Sequence, residues 1–219
     1  PARSGSKSIK DKNLDILKKK QLLAHSLLVA KNCKIIDKIV FSSDSKKYFN
    51  IAKKFANFLS HFRNKKISSD NSSDFDVFNH FIKNYKNALP KFFIHLRPTT
   101  PFRDPKLLTK IIKKFIKNEK KFTSLRSVSL MSNPTYKSVI IKQNKLFSPV
   151  IKSYSLDIIN NPRQKYPNTY MPNGYIDIVK TKSILRGFLH GNKTMPYINQ
   201  SFVSDIDDLN DLKIADLIN

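Results

Sequence analysis

Four short segments carry residue types and spacings suited to phosphate, cation and sugar chemistry. The first is residues 1–13, PARSGSKSIKDKN, where Gly5 sits between Ser4 and Ser6 with Arg3, Lys7, Lys10 and Lys12 around it. A flexible turn with free backbone N–H groups and nearby cations is what a triphosphate requires. The same letters also describe a disordered basic N-terminus. The pattern GxxxxGK[ST] is absent, so this is not a Walker-type loop. The second segment is Ser204-Asp205-Ile206-Asp207-Asp208. In extended backbone Asp205 and Asp207 project from one face and Ile206 from the other. Two carboxylates beside a phosphate loop make a hard-oxygen site suited to Mg²⁺. The plainer reading is an acidic turn capping a final helix, a role Asp208 can fill.

The third segment runs from His95 to Arg103, HLRPTTPFR. Two prolines fix a loop after a buried strand, Thr99 and Thr100 offer hydroxyls, and Arg97 and Arg103 offer planar forks. A strand exit followed by a helix cap needs less than this. The fourth pairs Asn161-Pro162-Arg163-Gln164 with Pro172-Asn173-Gly174, the latter also readable as a plain turn. Histidines form no triad with Ser or Cys in the sequence. His25 and His80 fall on helices, His95 reads as core, and none is assigned catalysis.

The elements that must position these segments follow from hydrophobic period. Helical spacing marks residues 21–32, 45–59, 74–88, 105–118, 181–188 and 208–218. Short apolar runs mark strands at 38–42, 92–96, 123–128, 175–179 and 196–198. Residues 131–172 are irregular, with a hairpin around Asn144. Strands alternating with helices predict an α/β domain with a mainly parallel sheet, and ligands in such sheets lie beyond the carboxyl ends of the strands. No repeat or linker divides the chain, so residues 1–219 are read as one domain, with 130–170 an excursion from the sheet.

Composition narrows the class. Of 219 residues 41 are Lys or Arg and 16 are Asp or Glu, a formal charge of +25 that suggests a nucleic-acid partner. The charge is spread along the chain and carried mostly by Lys beside abundant Asn and Ile, which fits a codon bias better than a phosphate-binding stripe. The seven arginines are more selective: four of them (Arg3, Arg97, Arg103, Arg163) fall in the segments named here, and Arg63 falls in a further one matched below. Cys33 is the single cysteine, which excludes a disulfide framework. Absence of a membrane-length apolar run or signal peptide gives the expectation of a cytoplasmic protein without membrane insertion.

Taken in order, the segments resemble the acylneuraminate cytidylyltransferases, which make CMP-activated sialic and related nonulosonic acids. The family's AR-x-x-SK-x-x-x-x-KN loop is matched by Ala2, Arg3, Ser6, Lys7, Lys12 and Asn13. Its L-[QR]-PT-[ST]-P-x-R loop is matched by Leu96 to Arg103. Arg163, Gln164 and Pro172 to Gly174 match RQ…PNG, Asp205 to Asp207 match DID, and Arg63, Ser69 and Asp70 match the intervening R…SD.

The resemblance implies a Rossmann-like nucleotidyltransferase fold, a three-layer sandwich, and a homodimer joined through 130–170. It implies transfer of CMP from CTP to the anomeric hydroxyl of a nonulosonic acid, releasing pyrophosphate and feeding surface-glycan biosynthesis. Under it Arg3, Lys7 and Lys12 hold the triphosphate, and Asp205 and Asp207 bind Mg²⁺ or Mn²⁺, with Asp207 catalytic. Ser6, Asn13, Arg63, Ser72 and Asp74 meet the nucleotide. Arg97, Thr99, Thr100, Arg103, Arg163, Gln164 and Asn173 line the acceptor sugar.

Three departures qualify these expectations. Ser8 stands where the family has Gly. Arg97 stands where enzymes for plain sialic acid have Gln, leaving legionaminic or pseudaminic derivatives as acceptors. The family's first strand precedes the PAR segment, so the resemblance implies a strand ahead of Pro1. The alternatives are a cytidylyltransferase for 3-deoxy-manno-octulosonate and, in another class, a basic RNA-binding protein. The latter should gather cations and exposed aromatics on one surface.

Overall fold

Capping side chains open several of the helices in the computed structural model, which describes residues 1–5, 9–85, 87–200 and 205–218. Strands β1 (Ile16–Leu17) and β2 (Lys20–Gln21) form a small hairpin ahead of α1 (Leu22–Asn32). Then come β3 (Val40–Ser43), α2 (Lys46–Ala52), β4 (Leu59–Phe62), α3 (Asp74–Asn84) and β5 (Phe92–His95). Ser73 opens α3 with a reciprocal box, accepting from Asp76 N while the Asp76 carboxylate accepts from Ser73 N. Helix α4 (Pro105–Asn118) opens on Asp104, whose carboxylate accepts from Lys106 N and Leu107 N, with Pro105 in the first turn. Leu108, Ile111, Ile112 and Phe115 form its buried stripe.

The second half contains β6 (Ser124–Leu130), β7 (Ile140–Lys142), β8 (Lys145–Phe147), β9 (Tyr170–Lys180), α5 (Thr181–Leu185), β10 (Thr194–Ile198) and α6 (Leu209–Ile218). The expected hairpin is β7–β8, closed by Gln143 and Asn144 at φ 50° and 57°, the left-handed pair that a two-residue turn needs.

The main sheet has the order β10-β6-β9-β5, and β3 pairs separately with β4. Its layers follow the strand period of two. Leu125, Ile176 and Ile178 pack under α4 in one core, while Val179 packs with Phe81, Ile82 and Ile184 of α3 and α5 in another. This is the α/β sandwich that strand–helix alternation predicts.

Helix α3 ends at Asn84, short of the expected 88, β9 starts at Tyr170, ahead of the expected 175, and two larger differences concern the sheet and residues 45–59. The sheet is mixed: β10 runs parallel to β6 and β3 to β4, but β9 runs antiparallel to both of its neighbours. It enters from the excursion at 131–169 instead of a helical crossover, so nothing forces it parallel. Residues 45–59 are not one helix either. Helix α2 stops at Ala52, and Phe58 folds back onto Phe41 with ring centroids 5.2 Å apart, which brings β4 alongside β3. A largely apolar cleft of about 410 Å³ lies between β3 and β5, walled by Phe41, Phe78, Phe93 and Ile94 among others.

Candidate active site

The basic loop is tied down at both ends. Ala2 N donates to Ser42 O, Ser4 donates to both carboxylate oxygens of Asp44, and the Arg3 guanidinium lies 2.7 Å from Asp70. Asp11 takes φ 57° and accepts from Tyr48 Oη, which turns the chain into the short helical turn Lys12–Leu14. Lys12 and Asn13 are buried there, and the Asn13 amide donates to Arg3 O. The residues in place are anchored, unlike a frayed basic end. Ser6 and Lys7 lie outside the described residues.

Lys12 joins this loop to the acidic segment. Its ammonium donates to Ile206 O at 2.8 Å and stands 3.4 Å from Asp207 Oδ1. Ile206 is fully buried beside Leu17, Leu22 and Ala215, while Asp205 and Asp207 are exposed on either side of it. Burial of Ile206 thus turns both carboxylates outward together. Partial desolvation and the neighbouring Asp207 push the Asp205 pKa up, against a hydrogen bond with Thr99. Among the described residues no group of three or more His, Cys, Asp or Glu side chains could hold a metal. The hard-oxygen pair itself fits Mg²⁺ if phosphate and water supply the other ligands.

The loop after β5 meets the same place. Thr99 O accepts from Ile206 N at 2.8 Å, locking residues 97–101 against the acidic segment. Arg97 is clasped between two acids, NH2 to Asp74 at 2.7 Å and NH1 to Asp177 at 2.8 Å. Those two carboxylates keep its pKa raised despite burial. Thr100 is buried with its hydroxyl unpartnered.

Arg103, expected along the acceptor sugar, is held inside the fold. It is 8% exposed and spends its fork on Tyr175 O, Ser26 Oγ, Arg97 O and Gly174 O. Burial, offset in part by Tyr175, lowers its pKa to about 9. Asn173 is also held inward, accepting from Ser127 Oγ and donating to Ser129 Oγ.

Arg63 is different. It is 5% exposed, yet Nε and one terminal nitrogen have no partner. Burial and the Arg3 cation lower its pKa against the pull of Asp44 and Asp74. A buried fork with idle donors is suited to an incoming acceptor. The Ser72 hydroxyl is likewise buried and unpartnered, and Asp74 stands at the start of α3 on Arg97. Arg163 and Gln164 are exposed on the turn Arg163–Lys165 of the excursion, where Arg163 reaches Ser132 O.

Sequence reasoning missed Asp177, 1% exposed between Arg97 and Arg126. An acid inside the apolar run YIDIV was the available signal. It also missed Ser26, which bonds both Arg97 O and Arg103 on a helix face that reads as core.

Comparison with known proteins gives the family and the fold. The family described as Cytidylyltransferase matches residues 1–161. The chain is 31% identical over 218 residues to the N-acylneuraminate cytidylyltransferase of Escherichia coli O18:K1:H7, covering 98% of this chain and 50% of that protein. It is 27% identical to the CMP-N,N'-diacetyllegionaminic acid synthase of Legionella pneumophila, covering 94% and 88% of the two chains. The chain therefore spans half the length of the first relative and most of the second. Among solved structures, CMP:2-keto-3-deoxy-manno-octonic acid synthetase in complex with CTP superposes with a TM-score of 0.68 at 13% identity, covering 100% of this chain and 95% of that one, a likeness of fold.

Proposed function

Because the chain belongs to the cytidylyltransferase family, we propose that it transfers CMP from CTP to the anomeric hydroxyl of a nonulosonic acid and releases pyrophosphate. One observation carries this reading: a basic loop, a Thr-rich loop and an acid pair are bonded into one site, Lys12 to Ile206 O and Ile206 N to Thr99 O. The relatives named for N-acylneuraminate and legionaminic acid point to the sugar class.

Within it, Arg3 and Lys12, with Lys7, neutralise the triphosphate and the leaving pyrophosphate. The idle donors of Arg63, with Asn13, Ser72 and Asp74, meet the nucleoside. Arg97 and Thr99 face the acceptor, while Thr100 and Asn173 shape the floor below it. Arg163 and Gln164 complete the sugar side from the excursion. Asp205 and Asp207 hold Mg²⁺ or Mn²⁺, which when bound neutralises charge developing on the phosphate.

A homodimer is part of the proposal. The excursion exposes Ile140, Ile141, Leu146, Tyr154 and Ile158, an apolar surface of the kind that marks a partner. Residues 1–219 then act as one catalytic domain, with 130–170 its dimerisation arm. We place the activity in the cytoplasm, where CTP is made. No helix among the described residues is long and apolar enough to cross a membrane.

The test is pyrophosphate release from CTP with a panel of nonulosonic acids, with 3-deoxy-manno-octulosonate as the rival acceptor. Turnover with the rival alone, or CTP-independent retention on RNA at physiological salt without turnover, would sink the reading. Asp207→Asn should cut turnover on the order of 10²-fold or more with the melting temperature kept. Near-parental release by that variant removes Asp207 from metal binding.

A further inference from the structure

We propose that Arg103 is a positioning residue that sets where Arg97, Thr99 and Asp205 stand in the candidate site. The inference rests on the function proposed above and adds to it a part that touches no substrate. The Arg103 guanidinium uses four donors: Nε–H to Tyr175 O at 2.6 Å, NH1 to Ser26 Oγ at 2.9 Å, and NH2 to Arg97 O at 2.9 Å and Gly174 O at 3.0 Å. One planar group thereby joins α1, the loop after β5 and the bend in β9. These are three segments far apart in the chain, and they meet directly under the site.

The consequences run outward by hydrogen bonds. Arg97 O accepts from Arg103, Ser26 Oγ and Thr100 N at once, so the backbone at Arg97 has one setting. Its guanidinium is then aimed at Asp74 and Asp177. Two residues on, Thr99 O receives Ile206 N, and the Thr99 side chain bonds the Asp205 carboxylate. Gly174, at φ +69°, sits so close above Thr100 that an added Cβ would lie 2.7 Å from its hydroxyl oxygen. This tight junction leaves the loop little freedom while the fork is in place. Lysine cannot replace it, because three donors on one nitrogen cannot span four acceptors in a plane.

Arg103→Lys tests this, with Ser26→Ala as a gentler second variant should the first fold poorly. Below the melting transition, kcat of Arg103→Lys should fall about 10- to 100-fold while KM for CTP stays within about threefold, the pattern of a displaced reacting group. Ser26→Ala should move the same way by less. Arg103→Ala with free guanidinium at tens of millimolar should recover part of the lost rate, a response the parent lacks. A purely structural Arg103 would lower the melting temperature and leave kcat of the folded protein at the parental value, which overturns the proposal.

Amide exchange decides the point without any activity. Faster exchange confined to residues 97–101, 173–176 and 205–208 supports positioning. Exchange that rises evenly, or nowhere in those segments, overturns it. If the parent itself releases no pyrophosphate, the functional reading fails and the exchange result still judges Arg103.

Discussion

Residues 97–104 and residues 131–169 both leave the sheet at the end of a strand, and they are held in opposite ways. The first loop has its carbonyls at 97 and 99 occupied by Arg103, Ser26 and Ile206, and its arginine clasped by two acids. The second is tied by bonds within itself, such as Ser148 N to Ser153 O and Arg163 to Ser132 O, and it presents Ile141 at 78% exposure. The chain fixes the chemistry-bearing loop by itself and leaves the excursion an apolar face to bury against something else. Damage to the first should therefore cost stability, and damage to the second should cost assembly.

The largest effect belongs to Asp177. Asp177→Ala removes the buried acceptor shared by Arg97 at 2.8 Å and Arg126 at 3.5 Å, leaving Arg97 to Asp74 alone and Arg126 without this acid. Breaking a buried pair from one side costs about 3–5 kcal/mol. Urea unfolding reads this directly. A loss under about 1 kcal/mol would show that Asp74 alone holds Arg97, and that the loop is less firmly fixed than its bonds suggest.

Next comes a pH effect on the wall that carries Asp74. His61 Nε2 lies 2.8 Å from His80 Nδ1 of α3, and its Nδ1 lies 2.9 Å from Ser42 Oγ. Burial, with the His80 and Arg63 charges adding, lowers the His61 pKa to about 4. The unfolded chain takes up this proton first, near pH 6.5. Stability is complete above that value and is lost as pH falls from 6.5 towards 4, on the order of 3 kcal/mol. Denaturant midpoints across this range should slope more steeply for the parent than for His61→Gln. Equal slopes would mean that His25, His95 and His190, whose pKa values are also lowered by burial, carry the dependence.

A smaller cost attends Gly174→Ala, which adds a Cβ at φ +69° against the Thr100 hydroxyl. Left-handed strain plus that contact should cost about 2 kcal/mol. Adding Thr100→Ala should return the contact part and leave the backbone part, separable as a coupling in the double variant. Strict additivity would mean that the bend in β9 moves away freely, contrary to a tightly held junction.

What was legible in the sequence divides along the same line. Helix α4 could be read to the residue because Asp104, Pro105 and the stripe from Leu108 to Phe115 are all local signals. The motifs around Lys12, Thr99 and Asp207 could be found by residue type, and they do meet. The role of Arg103 could not, because its partners are mostly backbone carbonyls, which leave no trace in side-chain identity. Strand β4 was hidden for a related reason: Phe55 and Phe58 keep helical spacing but pack as a turn against Phe41 and Phe49. The direction of β9 depends on where a long excursion returns, which no window of local pattern encodes.

The smallest expected change in stability comes from the excursion, and it tests the other half of the contrast. Ile141 lies on β7, whose three residues are all exposed, and its ladder partner is Leu146 of the same hairpin. Ile141→Asp removes no buried contact within one chain, so the monomer's unfolding free energy should shift by no more than about 0.5 kcal/mol. In a dimer built on this face the new carboxylate would be buried without a partner, and that is unfavourable enough to separate the subunits. Sedimentation should give a dimer for the parent and a monomer for the variant. Two proteins of the same mass in solution, with equal unfolding midpoints, would mean that the exposed apolar face of the excursion is not where copies of this chain meet.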